Sequence, residues 1–262
     1  MSVLEALILG VVQGATEFLP VSSSGHLVLT QRLLGVDIEG VLFEVVVHVA
    51  TLFSVTLVYR ERLRALIAGV ARRERDALRY TGLLILATIP ATVVGLLWKD
   101  AIEALFENPA APGYALLVTG LILITARWAV ARGERSEPTP GSAFAIGLAQ
   151  AFALIPGISR SGSTVVAALW LKVDAEDAAA FAFLMAIPAI GGAAVLQIPD
   201  VGAGVGPGGP ALLAGGIAAA VTGVLAIRTF VALLARRSFH WFAPYCWAVG
   251  GVYLAWHYGV FA

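Results

Sequence analysis

Residues 13–26 read QGATEFLPVSSSGH, and residues 150–164 read QAFALIPGISRSGST. The two stretches align without a gap at an offset of 137, which sets Gln13 on Gln150, Ser22 on Ser159, Ser24 on Ser161 and Gly25 on Gly162. Extending the alignment over 10–39 and 147–176 adds Gly10/Gly147, Val28/Val165, Leu34/Leu171, Val36/Val173, Asp37/Asp174 and Glu39/Glu176. About ten identities in about thirty positions mark an internal repeat. Each copy interrupts an apolar run with Pro, Gly and Ser, residues that bend or end a helix. The expected organisation is one membrane domain over 1–262, built from related halves at approximately 1–98 and 143–235.

Hydrophobic residues make up 59% of the chain and charged residues 13%, and the mean hydropathy is +0.88. Such a composition excludes an ordinary soluble domain and points to an integral membrane protein. The formal net charge is zero, so no nucleic-acid partner is expected. The single cysteine, Cys246, has no partner for an internal disulfide and reads as a small packing residue. The opening MSVLEALILG carries Glu5 and no basic stretch, so the first apolar run is expected to belong to the mature protein.

A helix needs about 20 apolar residues to cross a bilayer. Runs of that kind fall at roughly 41–59, 81–98, 113–130, 178–198, 211–235 and 242–261, which predicts about six transmembrane helices in an all-α fold. The repeated segments behave differently. Each is a pair of short apolar stretches, 1–19 with 25–36 and 143–155 with 163–173, divided by a polar elbow. Both pairs read as re-entrant helical hairpins. Irregular backbone at membrane depth is tolerated only inside protein or against a wet cavity, so the elbows are expected to share one.

Arginines crowd at 60–79, at Arg127, Arg132 and Arg135, and at Arg236 and Arg237. By the positive-inside rule these segments are cytoplasmic. Tracing six spans then puts Lys172 on the same side and Asp37, Glu39, Asp100, Glu103, Glu107 and Asp200 on the other, with both termini outside. Three spans separate the hairpins, so they enter from opposite faces as an inverted-topology repeat whose elbows meet near the midplane. The Trp98, Trp241, Trp247, Trp256 and Tyr258 side chains read as interfacial or core aromatics, and Val201–Pro210 as an outer loop.

The first elbow holds Gln13, Glu17, Ser22, Ser23, Ser24 and His26. Gln13 and Glu17, four apart, share one helix face, and ionisable groups inside membrane segments are functional candidates by default. The plainer reading is that Glu17 caps or pairs with Arg160. His26 either exchanges a proton near neutral pH or serves as a structural hydrogen-bonder. In the second elbow Gly157, Ser159, Ser161, Ser163 and Thr164 surround Arg160. Small residues, hydroxyls, a helix N-terminus and one guanidinium are the ingredients of a phosphate cradle. An arginine at that depth needs an anionic partner, either Glu17 or a bound phosphate. Glu44 and His48 sit one helical turn apart in the first full span; Glu44 is a candidate supporting residue at the cavity and His48 reads as a satisfied interior polar group.

The sequence Q-x-x-x-E followed by PVSSSGH, together with PGISRSGST, resembles the bacterial undecaprenyl-diphosphate phosphatases associated with bacitracin resistance, over the whole chain. The resemblance implies a multi-pass protein of the bacterial inner membrane that hydrolyses undecaprenyl diphosphate to undecaprenyl phosphate and inorganic phosphate. That activity returns the lipid carrier to cell-wall synthesis and depends on a divalent cation, here expected to be Mg2+ or Ca2+. It implies catalytic roles for Glu17, Ser23, His26 and Arg160, with Glu17 also the metal ligand. It implies substrate binding by Gln13, Ser22, Ser24, Gly157, Ser159, Ser161, Ser163 and Thr164, in a cavity open to the periplasm. The partners so implied are the lipid substrate and membrane lipid, with a homodimer left open. One departure matters: Gln13 stands where many relatives carry Glu, so a single carboxylate with the diphosphate is expected to grip the cation. Either Ser23 or a water attacks the terminal phosphorus, with Glu17 or His26 taking the proton. The rival reading is a secondary transporter or lipid flippase, since inverted repeats with broken helices are a transporter plan. A scaffold without activity leaves Glu17, His26 and Arg160 unexplained. The unequal chemistry of the two copies, acid and histidine in one and arginine in the other, favours an enzyme.

Overall fold

The protein is seen in a computed structural model that describes residues 1–36, 41–130, 133–197 and 207–260. The described residues form helices α1 (Val3–Phe18), α2 (Ser23–Leu34), α3 (Leu42–Val58), α4 (Arg60–Ala71), α5 (Arg75–Leu97) and α6 (Lys99–Glu107). They continue with α7 (Ala111–Ala129), α8 (Pro140–Phe152), α9 (Arg160–Trp170), α10 (Ala175–Gln197), α11 (Gly209–Ala235) and α12 (Phe242–His257). The expected Asp37, Glu39, Asp200 and Arg132, and positions 201–206 of the expected outer loop, lie outside the described residues.

Among the described residues α5, α7, α10 and α11 are each long and apolar enough to cross a bilayer. Helices α3 and α4 reach that standard only together, and they meet at an 80° bend. The expected count of about six includes α3 and α12, which have 17 and 16 residues, short of the ~20 of a straight span. The arginine-rich segment after residue 59, expected as a loop, is largely helical. Arg60, Arg62 and Arg64 lie on α4, and Arg75 opens α5.

Local chemistry sets the helix ends that matter here. Ser2 and Glu5 close a reciprocal capping box on α1, with bonds of 3.2 and 2.7 Å, and Pro20 follows its end because proline cannot continue a helix. Helix α8 starts from a Thr139 cap with Pro140 in its first turn. Helix α9 starts from Ser159, whose hydroxyl accepts the Gly162 amide at 3.1 Å. Helix α2 ends on Gly35 in the left-handed conformation, φ 63°, which costs glycine no side-chain clash.

The two hairpins, α1–α2 and α8–α9, run into the molecule from opposite ends. A Cβ added at Gly10 would strike the Gly215 backbone, and one at Gly14 the Ala219 carbonyl, Thr222 and Gly223. Helix α1 therefore runs parallel to α11 with small residues every four positions in the seam, the arrangement that lets membrane helices pack closely. A Cβ at Gly147 would likewise strike Ala87 and Pro90 of α5, and Gly95 faces Leu154, so α8 runs parallel to α5. Helix α5 leaves the arginine-rich end of the bundle, and α11 arrives there.

That end is tied together by Arg62–Asp177 at 3.1 Å, Arg79–Glu137 at 3.0 Å and Lys172–Glu134 at 2.8 Å. Arg237 shares a surface recess with Gly133 and Asp174. At 1.5 Å per residue, α5 carries the chain ~34 Å away, so Asp100, Glu103 and Glu107 of α6 lie at the other end. There the Tyr114 and Tyr258 hydroxyls meet at 3.2 Å. The first half of α10 is buried on every side, from Ala178 to Ala186. Phe183 of that helix stacks edge-on against Phe18 at 5.6 Å and Phe230 at 5.0 Å, so the aromatic core begins one residue beyond Glu17. Trp98, Trp241, Trp256 and Tyr258 are exposed, whereas Trp247 lies over Gly120 and donates from Nε1 to the Leu117 carbonyl at 3.1 Å.

Candidate active site

The breaks in the two hairpins meet. Each lies beside the middle of a long helix, the first through Gly14 against α11 and the second through Thr119 of α7. The Thr119 hydroxyl donates to the Gly157 carbonyl at 2.8 Å and accepts the Ser159 amide at 3.0 Å. Backbone groups freed by the break are thereby satisfied without water, as an apolar interior requires. Gly157 has φ 97°, and a Cβ there would press on Pro112 and Ala115 of α7, so only glycine fits. The matching strain in the first break falls on Ser22, a non-glycine residue at φ 69°, a conformation that costs of order 1 kcal/mol and collects at functional sites.

Three direct links join the breaks. Arg160 Nη2 donates to Glu17 Oε1 at 2.7 Å, the Gly157 amide donates to Ser24 Oγ at 3.3 Å, and Ser161 Oγ donates to the Leu19 carbonyl at 3.3 Å. Glu17 is the hub. Its second oxygen, Oε2, accepts from Ser23 Oγ at 2.7 Å and from Gln13 Nε2 at 3.1 Å, and faces His48 Nε2 at 4.0 Å. Gln13 is fully buried and its Oε1 has no protein partner. Burying a carboxylate is costly unless it is paired and hydrogen-bonded; Glu17, 8% exposed, has both.

His26 does not reach Glu17. Its Nδ1 lies 2.8 Å from the Ser22 carbonyl and its Nε2 2.8 Å from the Tyr245 hydroxyl. A carbonyl only accepts, so Nδ1 carries the proton, and the neutral ring accepts the Tyr245 O–H at Nε2. Ser22 forms no side-chain cap on α2, and its hydroxyl lies 3.2 Å from that of Ser24. In the second break Ser159 caps α9 and Thr164 donates back to the Arg160 carbonyl at 2.8 Å. These two hydroxyls are engaged in shaping the helix start, while buried Ser163 Oγ has no partner. Glu44 contributes its backbone carbonyl, which accepts from His48 Nδ1 at 2.7 Å.

Tyr245 and Thr119 were not singled out by the sequence. Each is a polar side chain in a mostly apolar helix, and its role depends on a partner more than 30 positions away. The pairing of His48 with Glu17 escaped for the same reason.

Fold and site together define a multi-pass α-helical membrane protein with an enzyme-like cluster of acid, arginine and hydroxyls buried where two broken helices meet. The chain matches the family described as bacitracin resistance protein BacA over residues 6–252, and it belongs to that family. It is 40% identical over 269 residues to an undecaprenyl-diphosphatase of Desulfatibacillum aliphaticivorans, covering 96% of this chain and 97% of that one. It is 42% identical over 270 residues to an undecaprenyl-diphosphatase of Alkaliphilus metalliredigens, covering 96% and 98%. A third relative, undecaprenyl-diphosphatase 4 of Bacillus thuringiensis, is 40% identical over 261 residues, with 98% of both chains covered.

Proposed function

We propose that this protein hydrolyses undecaprenyl diphosphate to undecaprenyl phosphate and inorganic phosphate, recycling the lipid carrier for cell-wall synthesis. The observation that carries the reading is the chain Ser23–Glu17–Arg160, two contacts of 2.7 Å that run from a hydroxyl through a carboxylate to a guanidinium across both breaks. A hydroxyl donating to a buried carboxylate is a nucleophile beside its base. A guanidinium next to it is the usual partner of a phosphate.

In this scheme the diphosphate draws Arg160 from Glu17 and takes its charge-assisted bonds. Ser23 Oγ attacks the terminal phosphorus as Glu17 Oε2 receives its proton, and the bond from that phosphorus to the bridging oxygen breaks. Undecaprenyl phosphate leaves with the proton from Glu17. Water, giving a proton to Glu17 as it attacks, then frees the phosphate from Ser23, whose oxygen takes that proton back, while His26 steadies the break through the Ser22 carbonyl. The N-terminus of α9, which Arg160 opens, favours the negative charge that develops on the phosphoryl oxygens. The hard-oxygen set of Glu17, Ser23 and the orphaned Gln13 Oε1 suits a divalent cation such as Mg2+ or Ca2+, completed by phosphate oxygens. When bound, that ion supplies neutralisation of phosphate charge.

The arginine-rich end is placed in the cytoplasm and both termini outside, in keeping with the positive-inside rule. The opposed hairpins are read as an inverted repeat, and the cavity as open to the periplasm of the bacterial inner membrane. Purified protein in detergent should release phosphate from undecaprenyl diphosphate, and a chelator should stop it. If Ser23→Ala keeps substantial turnover, the covalent step is wrong. If folded wild type releases no phosphate, the hydrolase reading falls, and lipid movement in liposomes becomes the assay to run.

A further inference from the structure

We propose that His48 is a ligand to the divalent cation of this site, and that its imidazole shifts the metal preference from Mg2+ and Ca2+ toward first-row transition ions. The inference rests on the reading that Glu17 carries the cation.

His48 belongs to neither break; it lies on α3. Its Nδ1 is 2.7 Å from the Glu44 carbonyl, which can only accept, so Nδ1 carries a proton, and whenever the ring is neutral Nε2 presents a lone pair. That lone pair faces Glu17 Oε2 at 4.0 Å. Two electron-rich atoms point at one gap. The separation is too long for a hydrogen bond. Two donors that each lie about 2.1 Å from one ion stand between about 3 and 4.2 Å apart, so a single ion can touch both.

A third donor adjoins the gap. Gln13 is fully buried, its Nε2 bonds Glu17 Oε2 at 3.1 Å, and its Oε1 has no partner. The two ends of a carboxamide are nearly the same size. Half a turn about the last side-chain bond exchanges them and brings the orphaned oxygen to the same face of Glu17. Arg160 bonds the other carboxylate oxygen, Oε1, and so leaves the Oε2 side of Glu17 to Ser23, Gln13 and His48. Histidines that bind metal generally donate their second N–H to a backbone carbonyl or carboxylate, and the Glu44 carbonyl fills that place.

Two oxygens and an imidazole nitrogen are a mixed donor set. Mg2+ and Ca2+ favour oxygen alone, whereas imidazole raises affinity for transition ions. Mn2+ is the probe, because it is paramagnetic and also accepts oxygen ligands. Tag-free protein in detergent would be titrated with Mn2+ and followed by electron paramagnetic resonance, with pulsed detection of nitrogen coupling. Wild type should show bound Mn2+ coupled to an imidazole nitrogen. His48→Gln should abolish that coupling and weaken Mn2+ at least about tenfold, while Ca2+ measured by competition changes less than about threefold. His48→Asn serves the same purpose if the glutamine variant does not elute as a single species. Coupling and affinity unchanged in His48→Gln, in protein whose Mn2+ is lost on Glu17→Gln, would overturn the inference alone. Mn2+ binding that survives Glu17→Gln, or no binding in wild type, would overturn the Glu17 cation site along with it.

Discussion

The two hairpins share a length, a break and a run of small residues, yet they carry different chemistry. At the shared offset, Glu17 stands against Leu154, Ser23 against Arg160 and His26 against Ser163, while Ser22/Ser159, Ser24/Ser161 and Gly25/Gly162 are the same. The residues that match shape or link the breaks, and of those that differ Glu17, Ser23 and Arg160 meet. Ser159 caps α9, and the Ser24 and Ser161 hydroxyls link one break to the other. Glu17, Ser23 and His26 all come from the first hairpin, and Arg160 from the second. Neither hairpin is a site alone. The two hairpins are bent alike, and the positions at which they differ make them complementary.

The sharpest ways to break this comparison are at those positions. Glu17→Ala or Arg160→Ala should each lower kcat/KM for phosphate release by roughly 10³-fold or more, since each removes charge stabilisation that the other hairpin cannot replace. A loss of only a few-fold would mean that one hairpin suffices. Ser23→Ala should lower kcat by roughly 10²-fold or more with little change in KM, because it removes the attacking group and leaves the phosphate cradle intact. An equivalent effect from Ser163→Ala would show that the hairpins are not specialised.

Tyr245→Phe deletes one hydrogen bond to His26 Nε2, a contact of 2.8 Å. It should cost about 1 kcal/mol, read as a several-fold fall in kcat without a change in melting temperature. The helix seams test the shared scaffold. Gly10→Leu and Gly147→Leu would push α1 and α8 off the α11 and α5 backbones, and each should destabilise by about 1–3 kcal/mol. A Cβ at Gly141 meets nothing within 4 Å, so Gly141→Ala should leave the melting temperature unchanged or raise it slightly. If only one seam is sensitive, the hairpins are not packed alike.

Much of this was legible in the sequence because the membrane sharpens the signals. Prolines, glycines and serines in apolar runs have few explanations other than a break, so both hairpins stood out, and with them Glu17, Ser23 and Arg160, which meet across the breaks, and His26, which does not join them. What stayed hidden were residues whose meaning lies in a distant partner. Thr119 looks like any threonine within a span, and Tyr245 like any aromatic near a helix start. Nothing local says that the first holds the Gly157 carbonyl or the second His26. His48 was read as a satisfied polar group, and its Nδ1 is satisfied by Glu44; only the packing of α3 turns Nε2 toward Glu17. The end of the first span near residue 59 was legible, but helix α4 was not, because the arginines that end the apolar run do not forbid helix.

The central claim is that the two breaks form one catalytic unit, and a double-mutant cycle on phosphate release tests it most directly. Wild type, Glu17→Gln, Arg160→Met and the double variant would be compared by kcat/KM, with protein quality checked by elution and melting temperature. Groups that act together are strongly non-additive. The double variant should therefore be no more than about threefold slower than the worse single variant. Losses that simply multiply would show that Glu17 and Arg160 act independently and would contradict the account.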